Sequence, residues 1–302
     1  MAEDMGSTVP RRQLGRALRQ LRTEAGVTLD AAAEALECSR QKVWRIESGL
    51  GSARGVDVRA MCQLYDANAE LTGALAALAS ETKAKGWWHA YGDAIPDWFE
   101  LYVGLEQAAG RLRFFKNTLV PGLLQTRRYA LGIYQVDQPE MSQEDRELAV
   151  ELRLQRQSLL TRRLPRAPRV QVTLCESVLL RPVGDPPVMA EQLRHLLELT
   201  DLPNISVRIV PLAAGPHGGN VAGEFVMLEF PPGNRSTPEP AVIYSESLTG
   251  GLYLDRPSEF AAYEKVWMNL DRLALDGGQS RHLINKILGE VHHGAPDQRP
   301  MA

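Results

Sequence analysis

Cysteine is scarce in this chain. Cys38, Cys62 and Cys175 are the only three among 302 residues. An odd and widely spaced trio supplies neither a disulfide framework nor metal ligands at finger spacing, and a reducing compartment is the expectation. Aromatic residues make up 6% of the chain. No apolar run reaches the roughly 18 residues that a membrane-spanning helix needs, and no signal peptide opens the chain, so no membrane partner and a cytoplasmic location are expected. Net charge is −3, which excludes a polycation that coats nucleic acid along its whole length. HExxH, GxSxG and paired-cysteine patterns are all missing. No catalytic residue, metal site or cofactor is expected.

What the chain does have is local. Between Arg11 and Gly49 basic residues are concentrated on a helical pattern. Leu14, Leu18 and Leu21 recur at the spacing of one helix face, with Arg11, Arg12, Arg16, Arg19 and Arg22 around it and no acid among them. Gly26 stops that helix. Thr28 can cap a second helix over Asp30–Leu36, and Ser39 a third that buries Val43 and Ile46. The third helix shows Arg40, Gln41, Lys42, Trp44 and Arg45 on its other faces. Two short helices joined by a brief turn fit the helix-turn-helix motif, whose second helix lies in the major groove. Arg pairs with guanine and Gln with adenine through two hydrogen bonds each, so Arg40, Gln41 and Arg45 are the candidate base-reading residues. Arg16, Arg19, Lys42 and Thr28 are the candidate phosphate contacts, and double-stranded DNA is the partner. A solvated helical hairpin is the bland alternative; caps, apolar spacing and charge together weigh against it.

Leu18, Arg19 and Arg22, then Thr28, Ser39 and the closing Ile46-Glu47-Ser48-Gly49 make this segment resemble the Xre/Cro/phage-repressor family. The resemblance implies a nucleoid-associated regulator with Arg40, Gln41 and Arg45 facing bases. Two positions depart from it. Leu29 stands where a polar phosphate contact is usual, and Glu37 where many relatives have glycine in the turn, which predicts a strained left-handed residue.

At 302 residues the chain has room for two domains. The pattern divides it into a disordered head (1–10), a five-helix DNA-binding domain (11–85), an aromatic hinge carrying Trp87, Trp88 and Tyr91 (86–95), an α+β domain (96–293) and a disordered tail (294–302). The fold class expected is thus an all-α helix-turn-helix head joined to an α+β C-terminal domain. In that domain, helices are expected over Pro96–Gly110, around Tyr129–Tyr134, over Ser142–Arg163, Met189–Leu199, Pro257–Ala274 and Gln279–His292. Strands are expected over Leu112–Asn117, Val170–Leu174, Ser206–Val210, Phe225–Phe230, Val242–Glu246 and Leu252–Leu254. Strands and helices mix without a clean βαβ rhythm.

The strings Val120-Pro-Gly-Leu-Leu-Gln-Thr126, Met189-Ala-Glu-Gln-Leu193, Val210-Pro-Leu212 and Tyr244-Ser-Glu246, followed by Gly251-Leu-Tyr253, resemble a large set of actinomycete regulators that includes WhiJ-like proteins. That resemblance implies control of development or secondary metabolism, and a small partner protein encoded nearby that the C-terminal domain binds. It supplies no catalytic residue. Gly215–Asn220 reads as a flexible loop before it reads as a phosphate cradle, because no helix start and no Lys follow it. Glu246 at a strand end reads as an edge residue before it reads as a site. Arg113, His217 and Glu246 form the possible ligand or partner site, should they converge. His292 and His293 are adjacent, which suits no two-ligand metal site. The sequence thus reads as a DNA-binding regulator that acts as a homodimer and is not an enzyme. The alternatives are a DNA-binding-headed enzyme of nucleotide-transfer type, or a toxin–antitoxin component.

Overall fold

The structure is a computed structural model that describes residues 8–81, 97–231, 239–248 and 250–290. They fall into two compact units. One runs to residue 81 and takes in Glu100–Ala108; the other holds 97–99 and everything from Ala109 onward. The hinge expected at 86–95, His292–His293 and the tail at 294–302 lie outside the described residues.

The first unit opens with α1 (Thr8–Glu24), so the chain is already helical before residue 10, where the disordered head was expected to end. Pro10 is tolerated because it sits in the first turn, where amide N–H groups have no intrahelical acceptor. Leu14 and Leu18 are buried. The chain leaves the helix through Gly26 at φ +68°. Thr28 Oγ1 accepts from the Ala31 N–H at 3.1 Å and starts α2 (Leu29–Ala35). The turn that follows carries Glu37 at φ +49°, the left-handed conformation anticipated at that position. Ser39 Oγ accepts from the Lys42 N–H at 3.1 Å and starts α3 (Arg40–Glu47). With α4 (Gly55–Leu64) and α5 (Ala69–Glu81), these helices enclose one core that includes Leu18, Val43, Ile46, Val58 and Met61. Helices α1 and α3 touch backbone to backbone: a Cβ on Gly15 would stand 2.5 Å from the Ile46 carbonyl oxygen. A mid-helix glycine reads as a weakness in a sequence; here it is the residue that lets the helices meet.

Helix α6 (Asp97–Ala108) begins in the second unit and gives Glu100–Ala108 to the first; β1 (Arg111–Lys116) follows it in the second unit. Next come α7 (Arg127–Asp137), α8 (Gln143–Arg156), β2 (Arg169–Cys175), α9 (Glu176–Leu180), α10 (Pro186–Leu199) and β3 (Ile205–Val210). β1, β2 and β3 are parallel neighbours, so helices make both crossovers. No such rhythm is legible in the sequence because each crossover holds two helices. After α11 (Gly218–Ala222), the chain reverses. β4 (Phe225–Glu229) runs antiparallel to β1, β5 (Val242–Ser247) to β4, and β6 (Gly250–Leu254) to β5. The result is a six-stranded mixed sheet of order β3-β2-β1-β4-β5-β6, closed by α12 (Pro257–Leu273) and α13 (Gly277–Glu290). This is an α+β domain, half of it parallel. The helix expected over Ser142–Arg163 ends at Arg156, where a 3₁₀ turn over Gln157–Leu160 takes over. Gln157 Nε2 donates to the Gln125 carbonyl at 2.6 Å and holds that turn.

Both sheet faces are buried. Phe115, Cys175, Met227 and Ile243 share one face with Trp267 and Leu270 of α12. Leu112, Phe114, Val170 and Val172 lie on the other. Right-handed crossovers that advance in one direction put their helices on a single face. Tyr244, on that second face, feels the charge of Arg156 in α8.

Two of the strings singled out in the sequence meet here. Thr126 caps α7. Its own N–H donates to Gln192 Oε1 at 2.7 Å, while Gln192 Nε2 donates to the Leu124 carbonyl at 2.8 Å. Val120–Thr126 and Met189–Leu193 are thus one structural lock. A second lock pairs Tyr244 with Tyr253 across β5 and β6, their rings 5.0 Å apart.

Candidate functional site

The head presents α3 outward. Ser39, Gln41, Lys42 and Arg45 line a concave surface of about 310 Å³ with Gly51 and Ser52 of the following loop. Gln41 and Arg45 are one helical turn apart, so their side chains stand one above the other on the same face. Arg40 points elsewhere, with Nε 3.3 Å from Asp30 Oδ1 in an exposed pair that holds it weakly. Lys42 Nζ is 3.6 Å from Asp57 Oδ2, but Asp57 is chiefly engaged by Arg54 through two hydrogen bonds of 3.0 Å. Thr28 has one lone pair committed to its cap. Trp44 is 47% exposed on this helix, an apolar side chain that the charge pattern did not single out.

The arginine face of α1 divides. Arg19 is exposed, Arg16 and Arg11 are partly buried and Arg12 is buried. Burial pushes the Arg11 guanidinium down from its ordinary pKa, against the opposing charge of Glu100. Arg22 donates to Glu47 at 2.8 and 3.0 Å and to the Val27 carbonyl at 2.8 Å, tying α1 to the end of α3. The face has no acid of its own; α3 provides one.

In the second unit, Arg113, His217 and Glu246 do not converge. Arg113 is buried, paired with Glu229 at 3.0 Å and Glu264 at 2.7 Å, and sits over the rings of Phe260 and Trp267. Those hydrogen bonds hold the Glu264 carboxyl below the usual carboxylate range. The guanidinium fastens α12 to the sheet. Glu246 is exposed and, by alternation from Ile243, lies on the opposite sheet face.

His217 lies on the Arg113 face, edge-on to Phe115 with ring centres 5.8 Å apart, and Nε2 is 3.7 Å from Cys175 Sγ. A helix does follow its glycine-rich loop, contrary to expectation: Asn220 Oδ1 accepts from the His217 N–H at 3.0 Å and starts α11. A Cβ on Gly219 would come within 2.4 Å of the Phe115 ring, so glycine is needed to seat the loop there. Around His217 is a cavity of about 240 Å³, with Asn117, Cys175, Ser177, Leu212 and Asn220 in its wall. It opens at the carboxyl ends of β1, β2 and β3, where open sheets with parallel strands bind ligands. Burial pushes the imidazole pKa down. Burial and the Glu224 charge push the Cys175 thiol up to about 11. Both groups are therefore neutral near pH 7. Asn117 and Ser177 carry no signal of their own in the sequence, since each merely follows a strand, Asn117 after β1 and Ser177 in the first turn of α9 after β2; Asn220 ends the stretch that reads as a flexible loop and lies instead in α11.

A capped two-helix turn that offers Gln and Arg from its second helix defines a helix-turn-helix DNA-binding regulator. Residues 13–75 match a family described as "Helix-turn-helix domain". Residues 99–286 match the family "Domain of unknown function (DUF5753)", and the chain belongs to that family. No curated protein and no solved structure matches the chain. No helix among the described residues is long and apolar enough to cross a membrane.

Proposed function

We propose that this protein is an Xre-type, sequence-specific transcriptional regulator whose C-terminal domain senses a small partner protein or ligand and is not a catalyst. The observation that carries the reading is the concave surface formed by Gln41, Lys42 and Arg45 on a helix that is capped at Ser39 and open to solvent. Gln41 and Arg45 read bases, Arg40 reaches them once its exposed pair with Asp30 opens, and Arg16, Arg19, Lys42 and Thr28 contact phosphates. A single head contacts too little DNA for tight specific binding. The protein therefore acts as a homodimer on half-sites about 34 Å apart. The non-catalytic reading of the C-terminal domain is supported by the commitment of Arg113 to two carboxylates and by the place of Glu246 on the far face. Its setting is development or secondary metabolism, with the small partner protein encoded nearby.

Operator selection followed by alanine substitution tests the DNA half. Arg45→Ala should cost about 1–3 kcal/mol on the selected operator and little on random DNA. Equal losses on both would move Arg45 to the phosphate class. Incubating the full chain with nicotinamide adenine dinucleotide and candidate target proteins tests the other half. Modified product that vanishes in Glu246→Gln would replace the sensor reading with an enzyme.

A further inference from the structure

We infer that the cavity at the carboxyl ends of β1, β2 and β3 binds a small, planar, uncharged molecule of the cyclic-amide or nucleobase type. The inference rests on the sensing role proposed above and supplies its ligand class.

The charges nearby are committed elsewhere. Lys116 Nζ bonds Glu224 Oε2 at 2.9 Å, and Glu224 Oε1 accepts from the Asn117 and Thr118 N–H groups at 2.9 and 2.8 Å. Burial pushes the Glu224 carboxyl up, but the Lys116 charge and these hydrogen bonds outweigh it and hold the group ionised. Glu176 Oε2 accepts from the Leu212 N–H at 2.8 Å. An ionic ligand would lose hydration here and find no counter-charge in the wall.

Neutral groups that donate and accept remain. The Asn117 side-chain amide has no hydrogen-bond partner among the described residues; only its backbone is engaged. Asn220 keeps its Nδ2 donors while Oδ1 serves the cap. The imidazole of His217 and the thiol of Cys175 add one ambivalent pair. A carboxamide presents an acceptor beside two donors, the complement of a ring amide edge. Val210, Pro211 and Leu212 give the cavity an apolar wall, and Leu212 is 59% exposed. A flat ring can cover that wall while its polar edge meets Asn117 and Asn220. At about 240 Å³ the space lies below the roughly 300–1,000 Å³ of drug-sized pockets, so the ligand is of single-ring size.

The test is an NMR titration of the isotope-labelled full chain with three probes: uracil, orotate (the same ring with a carboxylate) and inorganic phosphate. His217→Gln assigns the imidazole signals. Uracil should shift the His217 and Asn117 side-chain signals saturably, and orotate and phosphate should bind at least tenfold more weakly. Asn117→Leu should weaken uracil at least tenfold. Asn220→Asp keeps the capping oxygen and removes the donor, and it should do the same if Asn117→Leu does not fold. No saturable shift with uracil, tighter binding of either anion, or undiminished uracil binding in the folded variants would overturn the proposal. DNA affinity is read on the same samples. A bound uracil that leaves DNA affinity unchanged upholds the site and removes the sensing role, so the two claims fail separately.

Discussion

Arg22 and Arg19 are three residues apart on α1 and share its acid-free arginine pattern in the sequence. Their surroundings give them two roles. Arg22 neutralises Glu47, whose side chain is 3% exposed. Arg22→Ala strands that carboxylate and should cost about 3–5 kcal/mol of head stability, read from urea unfolding. Arg19→Ala should leave stability within about 0.5 kcal/mol of the parent. It should instead lower the slope of log affinity against log salt by about one on any DNA. The reverse pattern would exchange their roles. His217 makes the matching case for pH. Its ordinary pKa is 6.5, and burial lowers it. The folded state therefore resists protonating it. Its contribution to stability is whole above pH 6.5 and drains as pH falls below that value toward the lower folded pKa. Unfolding midpoints should drop on acidification, and His217→Asn should lessen the drop. What the sequence showed of the site was residue type. Val43 and Gln41 are told apart by helical spacing, but the partner of Arg22 lies 25 positions away and Arg113 finds its carboxylates from β4 and α12. No local pattern carries such distances.

Elements were legible where a cap or a period marked them. Thr28, Ser39 and Ser142 each start the helix expected of them, because a side-chain oxygen that accepts a freed amide is a local interaction. The short helices α9 and α11 were not, since five residues are too few to show a period. The approach of α1 to α3 was also invisible, and it yields the sharpest prediction at this level. Gly15→Ala should raise helix propensity by about 1 kcal/mol. The added methyl meets two carbonyl groups of α3, which cannot move without moving that helix. We expect a net loss of stability, with operator affinity falling more than affinity for random DNA. A stabilised variant with unchanged binding would show that the two helices can part at no cost.

At the level of the molecule, the first unit takes in Glu100–Ala108 of α6. The boundary read near residue 85 leaves these residues out, because a helix that follows a break in pattern reads as the start of the next domain. A fragment 1–108 should therefore melt higher than a fragment 1–85 while both keep operator preference; equal melting temperatures would detach α6 from the head. The parallel half of the sheet has another outcome, which concerns order in time. β1 is central and pairs with β2 and β4. Phe225, the partner of Phe115, is about 110 residues further along the chain. At roughly 5–20 residues per second a ribosome needs on the order of 5–20 s to deliver it. For that interval the Leu112–Phe115 segment has emerged with one edge unpaired. Helix-turn-helix heads can fold while it waits, so newly made chains pass through a stage that is competent for DNA yet sticky downstream. Chaperone capture of nascent chains should accordingly peak after β1 emerges and end once β4 is out.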